Sequence, residues 1–342
     1  MIRFLLHRII YFLLALWLLT VFSFFLNWLF PGDVITNMSG IRPFSDNYQS
    51  EFDLRAGGSN LVTQYGHYVA NLINFDWGIS LSTQQPVWAE ASRTFMATAE
   101  ILLLGFLLAL VIGLPLGTLA AAQYRSSLDK TIVTTAIAGY SIPAFWLAQL
   151  LILLFAVKIQ WFPITGQIDP LYLIEPQTGS VLLDVALSDS DFKAAAFQNA
   201  LAHMVLPVVV ISSLPSMLLL RMTRNATVEV LQKPYLKAVR ARGLSPLRVI
   251  FKHAVPNTLQ MVLPQLTFIF GIMLANTVIV ESIFNWPGIG SWLLKAIIER
   301  DYPVIQAALV IFVATTLTAH FIFEIYRGWR FPIVREERYG GT

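Results

Sequence analysis

Tyr235-Leu236-Lys237-Ala238-Val239-Arg240-Ala241-Arg242-Gly243-Leu244-Ser245-Pro246, running on to His253-Ala254-Val255-Pro256-Asn257, is the stretch on which the reading of this chain turns. It is strongly basic and lies between two apolar runs, 204–220 and 258–280, each long enough to cross a bilayer. Residues 234–242 are mostly helix formers, and 246–254 read as a further helical turn or two. Gly243 stands where the chain reverses, and glycine adopts the positive φ that a tight turn needs. Ala238 and Ala241, three apart, make a flat face that another surface can approach. The charges alone would better describe a solvated basic loop. The helix-turn-helix order describes a docking knob.

Outward from this knob, the whole chain reads as membrane. Its 342 residues are 56% hydrophobic and 13% charged, with a mean hydropathy of +0.65, values that exclude an ordinary soluble enzyme. Six segments without Lys, Arg, Asp or Glu are long enough to span: 9–30, 101–122, 131–157, 204–220, 258–280 and 304–323. The first is too long for a removable signal peptide and has no small-residue cleavage site, so it reads as a retained helix. With both termini cytoplasmic, 16 of the 23 basic residues fall on the inner side, eight of them between 221 and 252. The pI near 9.1 then needs no nucleic acid as partner. The chain has no cysteine, which excludes disulfides and thiolate metal sites.

The expected architecture is an all-α polytopic membrane protein, one domain over 1–342, with an outer loop 31–95, an outer segment 158–202 and a cytoplasmic loop 221–257. Gly57-Gly58-Ser59-Asn60 reads as a turn, and Tyr65 to Ile73 has the spacing of a helix on the membrane surface. Gly113-Leu114-Pro115-Leu116-Gly117 is expected to break or bend the second span, and Ser141-Ile142-Pro143 to bend the third. Such breaks are packing kinks or the wall of a pathway, because lipid offers the freed backbone groups no water.

Polar groups at membrane depth are pathway candidates. Glu100 and Glu281 lie near outer span ends, Gln265 and Asn276 lie within the fifth span, and Ser141, Pro143 and Trp146 mark the third. Glu281 reads more readily as a structural acceptor beneath the Pro287-Gly288 turn than as a pathway group. His320 and Glu324, four apart, read as a mutual or lipid-interface contact. Asp169, Glu175, Asp184, Asp189 and Asp191 form either a partner surface or a solvated loop.

The order of residues in the knob resembles the coupling loop of ABC importer permeases, in which a Glu-Ala-Ala triplet precedes a glycine and a proline-containing ending follows. Here the triplet is Lys237-Ala238-Val239, the glycine Gly243 and the ending His253-Ala254-Val255-Pro256. Tyr235, Arg240, Ala241, Arg242, Gly243, Leu244, His253 and Asn257 match the dipeptide/oligopeptide branch, while Lys237 and Val239 depart from the general triplet. Pro31-Gly32-Asp33, Asp76-Trp77-Gly78-Ile79-Ser80 with Pro86-Val87, Pro143-Ala144-Phe145, Glu281 to Gly290, and Asp301-Tyr302-Pro303 are similar to that branch in the same order. The segment from Leu171 to Ser190 is similar to the Sap-type subgroup, which is associated with antimicrobial-peptide uptake and putrescine movement.

The resemblance implies a type I ABC importer permease fold with six transmembrane helices in a bacterial inner membrane. It implies a second, related permease completing a heterodimeric pore, two cytoplasmic ATPase subunits docked on the paired coupling loops, and a periplasmic substrate-binding protein. ATP and magnesium would sit on the ATPases. This chain has no Gly-x-x-x-x-Gly-Lys-Ser/Thr phosphate loop, and neither enzyme activity nor a cofactor of its own is expected. Two other classes compete. An ATPase-independent secondary transporter or channel would leave the knob without a task. An intramembrane serine protease would need Ser141 and His320 within hydrogen-bond reach, yet Ile142-Pro143 follows the serine and the two residues lie at different depths.

Overall fold

Apolar runs without charge become long helices here because a helix satisfies its own backbone groups where no water can. The computed structural model describes residues 2–55 and 60–331. The expected Gly57-Gly58-Ser59 turn and the inner-side Arg335 and Arg338 fall outside those residues. Among the described residues there is no strand, only one isolated bridge between Ile79 and Pro86.

The first half comprises α1 (Ile2–Leu29), α2 (Val34–Ser39), α3 (Tyr48–Arg55), α4 (Leu61–Ile73), α5 (Val87–Ala122), α6 (Ser127–Tyr140) and α7 (Ala144–Leu151), which runs on as the π-helical Ile152–Lys158. The second half comprises α8 (Val181–Leu187), α9 (Lys193–Gln232), α10 (Pro234–Ala241), α11 (Pro246–Val249), α12 (Val255–Phe284), α13 (Ile289–Glu299) and α14 (Tyr302–Arg330). Among the described residues five helices are long and apolar enough to cross a membrane, or six if α6 and α7 form one span.

The centre is α5 against α9. The expected break at Gly113-Leu114-Pro115-Leu116-Gly117 does not occur, since Pro115 lies inside a continuous 36-residue helix. The glycines serve contact instead. A Cβ on Gly113 would stand 2.8 Å from the Leu219 side chain, and one on Gly117 would stand 2.5 Å from the Leu220 carbonyl oxygen. Gly105 meets Ile211, Gly113 meets Leu219 and Gly117 meets Thr223, so the contacts advance in step and the two helices run parallel. Small residues let backbones approach in this way within a bilayer.

The third span bends where expected, and more sharply than a kink. The segment 131–157 is not one bent helix but two, meeting at 97° across Ser141-Ile142-Pro143. Proline has no N–H to continue the ladder, and it pushes the preceding residue out of helical geometry.

Residues far apart in sequence close the two ends of the bundle. At one end Arg8 Nη2 lies 2.6 Å from Glu324, and Arg327 lies 3.6 Å from the same carboxylate, so the first helix starts where the last one finishes. Glu324 therefore pairs with arginines rather than with the expected His320. At the other end α4 is indeed helical but does not lie free on a surface. Its Tyr65 hydroxyl meets Thr20 Oγ1 at 2.7 Å, and its Tyr68 hydroxyl donates to Ser23 Oγ at 2.7 Å. Gln306 Nε2 donates to both Ser23 and Tyr68, joining α14 to the same buried knot. Burial pushes the Tyr68 hydroxyl up to about 12, so it remains a donor throughout the neutral range.

Candidate functional site

The basic knob has a small core of its own. Leu236 on α10 is fully buried against Val230 of α9, Val249 of α11 and Ala254. Lys233 turns the chain out of α9 with an extended ψ of 142°, and Pro234 starts α10 with its φ already helical. Gly243 adopts a φ of +79°, with nothing within 4 Å of an added Cβ. Its requirement is therefore backbone conformation and not space, since a side chain in that region costs about 1–2 kcal/mol. Asn257 Nδ2 donates to the Tyr235 hydroxyl at 2.7 Å and to the His253 carbonyl at 2.9 Å. Four residues picked from one sequence pattern thus form one joint: Tyr235, His253, Asn257 and Pro256, the last in the opening turn of α12.

Lys237, Ala238, Arg240, Ala241 and Arg242 are exposed, while Val239 and Leu244 lean on the knob's core. The flat alanine face is therefore open to a partner. Sequence reasoning missed two residues beside it, Leu247 (68% exposed) and Phe251 (67% exposed). Their i,i+4 spacing opposite the buried Val249 and Ala254 was the available signal. The knob thus exposes apolar Leu247 and Phe251 and basic Arg240, Arg242, Arg248 and Lys252 as well as the two alanines.

The pathway candidates separate into two groups. Glu281 is fully buried. One carboxylate oxygen accepts from Thr98 Oγ1 at 2.6 Å, and the other accepts from the backbone N–H groups of Gly290 at 2.7 Å and Ser291 at 3.1 Å. Thr98 Oγ1 in turn accepts from Ile289 N at 2.8 Å, and Trp286 Nε1 donates to the Ala97 carbonyl at 2.9 Å. A Cβ on Gly288 would collide with the Glu281 carboxylate, which explains the glycine of the Pro287-Gly288 turn. Glu100 is similarly occupied. It accepts from Ser180 Oγ at 2.6 Å and from the Val181 and Leu182 N–H groups at 3.1 Å each, capping α8.

The second group is free of such tasks. Ser141, Pro143 and Trp146 are exposed at the α6–α7 elbow, and Ser141 Oγ donates only locally, to the Ile137 carbonyl at 3.0 Å. That geometry gives no activated hydroxyl at Ser141. Gln265 is exposed on a stripe of α12 that includes Met261, Phe268 and Ile279, and Asn276 is half-buried beside it.

Among the acidic residues of the outer segment, Asp184 is not on a surface. It is 4% exposed and accepts from Thr178 N and Oγ1, each at 2.7 Å, and from Gly179 N at 3.2 Å. Asp169 caps a short 3-10 turn at Pro170–Tyr172. Two motifs read separately along the chain meet in space: Ser80 Oγ donates to Asp301 Oδ2 at 2.6 Å, and Ser82 N donates to it at 3.0 Å. Asp301 also begins α14 by accepting from Val304 N. Among the described residues no cluster of His, Asp and Glu could hold a metal.

Comparison with known proteins agrees with this arrangement. Residues 113–335, more than half of the chain, match the family described as binding-protein-dependent transport system inner membrane component. The di/tripeptide transport system permease protein DppB of Pseudomonas aeruginosa is 40% identical over 93% of this chain and 94% of its own length. The dipeptide permease DppB of Escherichia coli K12 is 33% identical over 94% and 95%. The putrescine export system permease protein SapB of the same strain is 33% identical over 99% of both chains. Family match, near-full-length relatives and a bundle of spanning helices lead to one conclusion: this chain is a member of the binding-protein-dependent inner membrane permease family of ABC transporters.

Proposed function

We propose that this chain is one of two membrane subunits of an ATP-driven transporter for short peptides. It lies in the bacterial inner membrane with both termini and the 221–257 loop in the cytoplasm. The observation that carries the reading is the knob, which exposes Ala238, Ala241, Leu247 and Phe251 together with basic Arg240, Arg242, Arg248 and Lys252 and is braced by the Tyr235–Asn257 bond. An apolar centre with a charged rim is the ordinary anatomy of a protein interface. Each ATPase offers an acidic-rimmed apolar groove to such a knob, and its closure on ATP is passed to the spans through α9 and α12. Magnesium and ATP reside on those ATPases, outside this chain.

The pathway runs between this chain and a second related permease. Its wall on this side is the α6–α7 elbow at Ser141, Pro143 and Trp146, with the α12 stripe carrying Gln265 and Asn276. Ser141 and Asn276 donate only within their own helices, to the carbonyls four residues back, whereas Glu100 and Glu281 are anchors of the outer end. A periplasmic binding protein delivers substrate at that outer end.

A peptide substrate is supported by the 40% identity to the di/tripeptide permease. Putrescine is a second reading, supported by the end-to-end match to SapB. The test is flux of a labelled dipeptide and of labelled putrescine in cells with and without this gene. Loss of dipeptide flux alone supports the peptide reading, and loss of putrescine flux alone replaces it with the polyamine one. Flux of either that persists after ATP depletion would overturn the ATP-driven assignment.

A further inference from the structure

We propose that Asp129 and Arg224 form a positioning latch that makes the α6–α7 elbow follow the coupling helix α10; this rests on the coupling role proposed above for the knob. The pair joins the start of α6 to α9, two and a half turns before α9 gives way to α10. Arg224 Nε lies 3.1 Å from Asp129 Oδ1, and Arg224 Nη2 lies 2.8 Å from Oδ2. Two parallel bonds fix the orientation of the partners as well as their separation. The Asp129 side chain is 3% exposed and that of Arg224 is 22% exposed, so water cannot readily take over either end.

The same carboxylate organises the turn that launches α6. Asp129 Oδ2 accepts from Arg125 N at 2.8 Å, and Arg125 is held at a φ of +67°. Ser126 Oγ accepts from Asp129 N at 3.2 Å. The Arg224 guanidinium also lies over the Tyr124 ring, 5.0 Å from its centroid. The turn is thus closed by its own bonds and held to α9 through Arg224, which grips both Asp129 and the Tyr124 ring.

The coupling helix has no comparable grip on this turn. A cleft of about 310 Å³ separates Gln123, Tyr124 and Ser126 from Leu231, Gln232 and Arg240. A displacement of α10 reaches α9 through Leu236 packed on Val230. Arg224 lies nine residues before Lys233, about 13 Å along the axis, so it moves with that rigid end. From Asp129 the displacement enters α6, a 14-residue rod about 21 Å long. The far end of that rod is the 97° elbow, where the helix ladder is already interrupted. α6 also packs on α9 near the elbow, where Gly139 lies against Met217, and the two-point latch fixes the opposite end of that contact.

The chain's lack of cysteine gives a test that needs no knowledge of the substrate. In the complete transporter, Trp146→Cys is labelled with a membrane-impermeant maleimide, without nucleotide and with a non-hydrolysable ATP analogue. The expected ratio of labelling rates is about fivefold or more, in the range of coupling between linked sites. It should fall to about one in Asp129→Asn and in Arg224→Gln, with no further loss in the double variant, as for two members of one interaction. Arg224→Lys, which keeps the charge but only one of the two bonds, should give an intermediate ratio, and it carries the test if the other variants fail to assemble. A merely stabilising pair would lower the amount of assembled transporter and leave the ratio untouched, which would overturn the latch. Cross-linking of Ala241→Cys to the ATPase is measured alongside. If it is present and sensitive to nucleotide while the elbow ratio ignores Asp129→Asn, the latch alone fails. If it is absent, the coupling role fails and takes the latch with it.

Discussion

Replacing Glu281 decides whether that carboxylate is an anchor or part of a transport path. Its two oxygens serve three buried donors: Thr98 Oγ1, Gly290 N and Ser291 N. Glu281→Leu keeps the bulk but strands all three, at about 1–3 kcal/mol each, or roughly 3–9 kcal/mol together. That is comparable with the whole stability of a typical domain, about 5–15 kcal/mol, so the variant should not accumulate. Glu281→Gln is gentler. Its amide oxygen retains the two backbone donors, while its NH2 faces a threonine hydroxyl that already accepts from Ile289 N. The Thr98 bond is lost or reversed and the two backbone bonds weaken, which costs roughly 1–3 kcal/mol. The assay is thermal unfolding of the purified complex in detergent, with transport measured per assembled copy. The expected result is a clearly lowered midpoint, near-normal transport per copy, and non-additivity with Thr98→Val. An unshifted midpoint with transport abolished would refute the anchor and restore Glu281 as a pathway carboxylate.

The remaining predictions concern the knob. Gly243→Asn, which tolerates positive φ, should insert and support transport, whereas Gly243→Leu should insert and lose ATPase-driven transport, at a folding cost of only about 1–2 kcal/mol. Normal transport in Gly243→Leu would remove the knob from the mechanism. Leu247→Asp combined with Phe251→Asp should leave the knob's core intact, because both side chains point away from it, and should weaken ATPase co-purification by about tenfold or more, as loss of an interface anchor does. Undiminished co-purification would place the docking surface elsewhere.

The features that were legible in the sequence are those set by local chemistry. Gly243 at positive φ, Pro234 and Pro256 at helix starts and the small Ala238/Ala241 face all follow from what those residues permit on their own. The long apolar runs announced the spans, but underestimated helices such as α9, whose 40 residues continue into polar ends that a hydropathy reading discards. Features that depend on a distant partner were not legible. Gly113 and Gly117 looked like a break because α9, which fills the space above them, is about a hundred residues away. Pro143 marked the elbow, but its 97° angle belongs to the packing on both sides. Glu100 and Asp184 read as free carboxylates because the N–H groups they accept from are backbone, which carries no sequence signature, whereas the Pro287-Gly288 turn did mark Glu281 as a structural acceptor. Leu247 and Phe251 were overlooked among many apolar residues, and only the burial of Val249 and Ala254 shows which way they face.

The central claim is that the basic knob is where an ATPase docks, and cysteine cross-linking tests it most directly. Ala241→Cys on the exposed alanine face is compared with Phe44→Cys, placed on a fully exposed residue in the loop after α2. Both are made in a chain with no other cysteine and co-expressed with the ATPase subunits. The expected result is a cross-link to the ATPase from Ala241→Cys that changes with ATP, and none from Phe44→Cys. No cross-link from Ala241→Cys in a transporter that still moves substrate would contradict it.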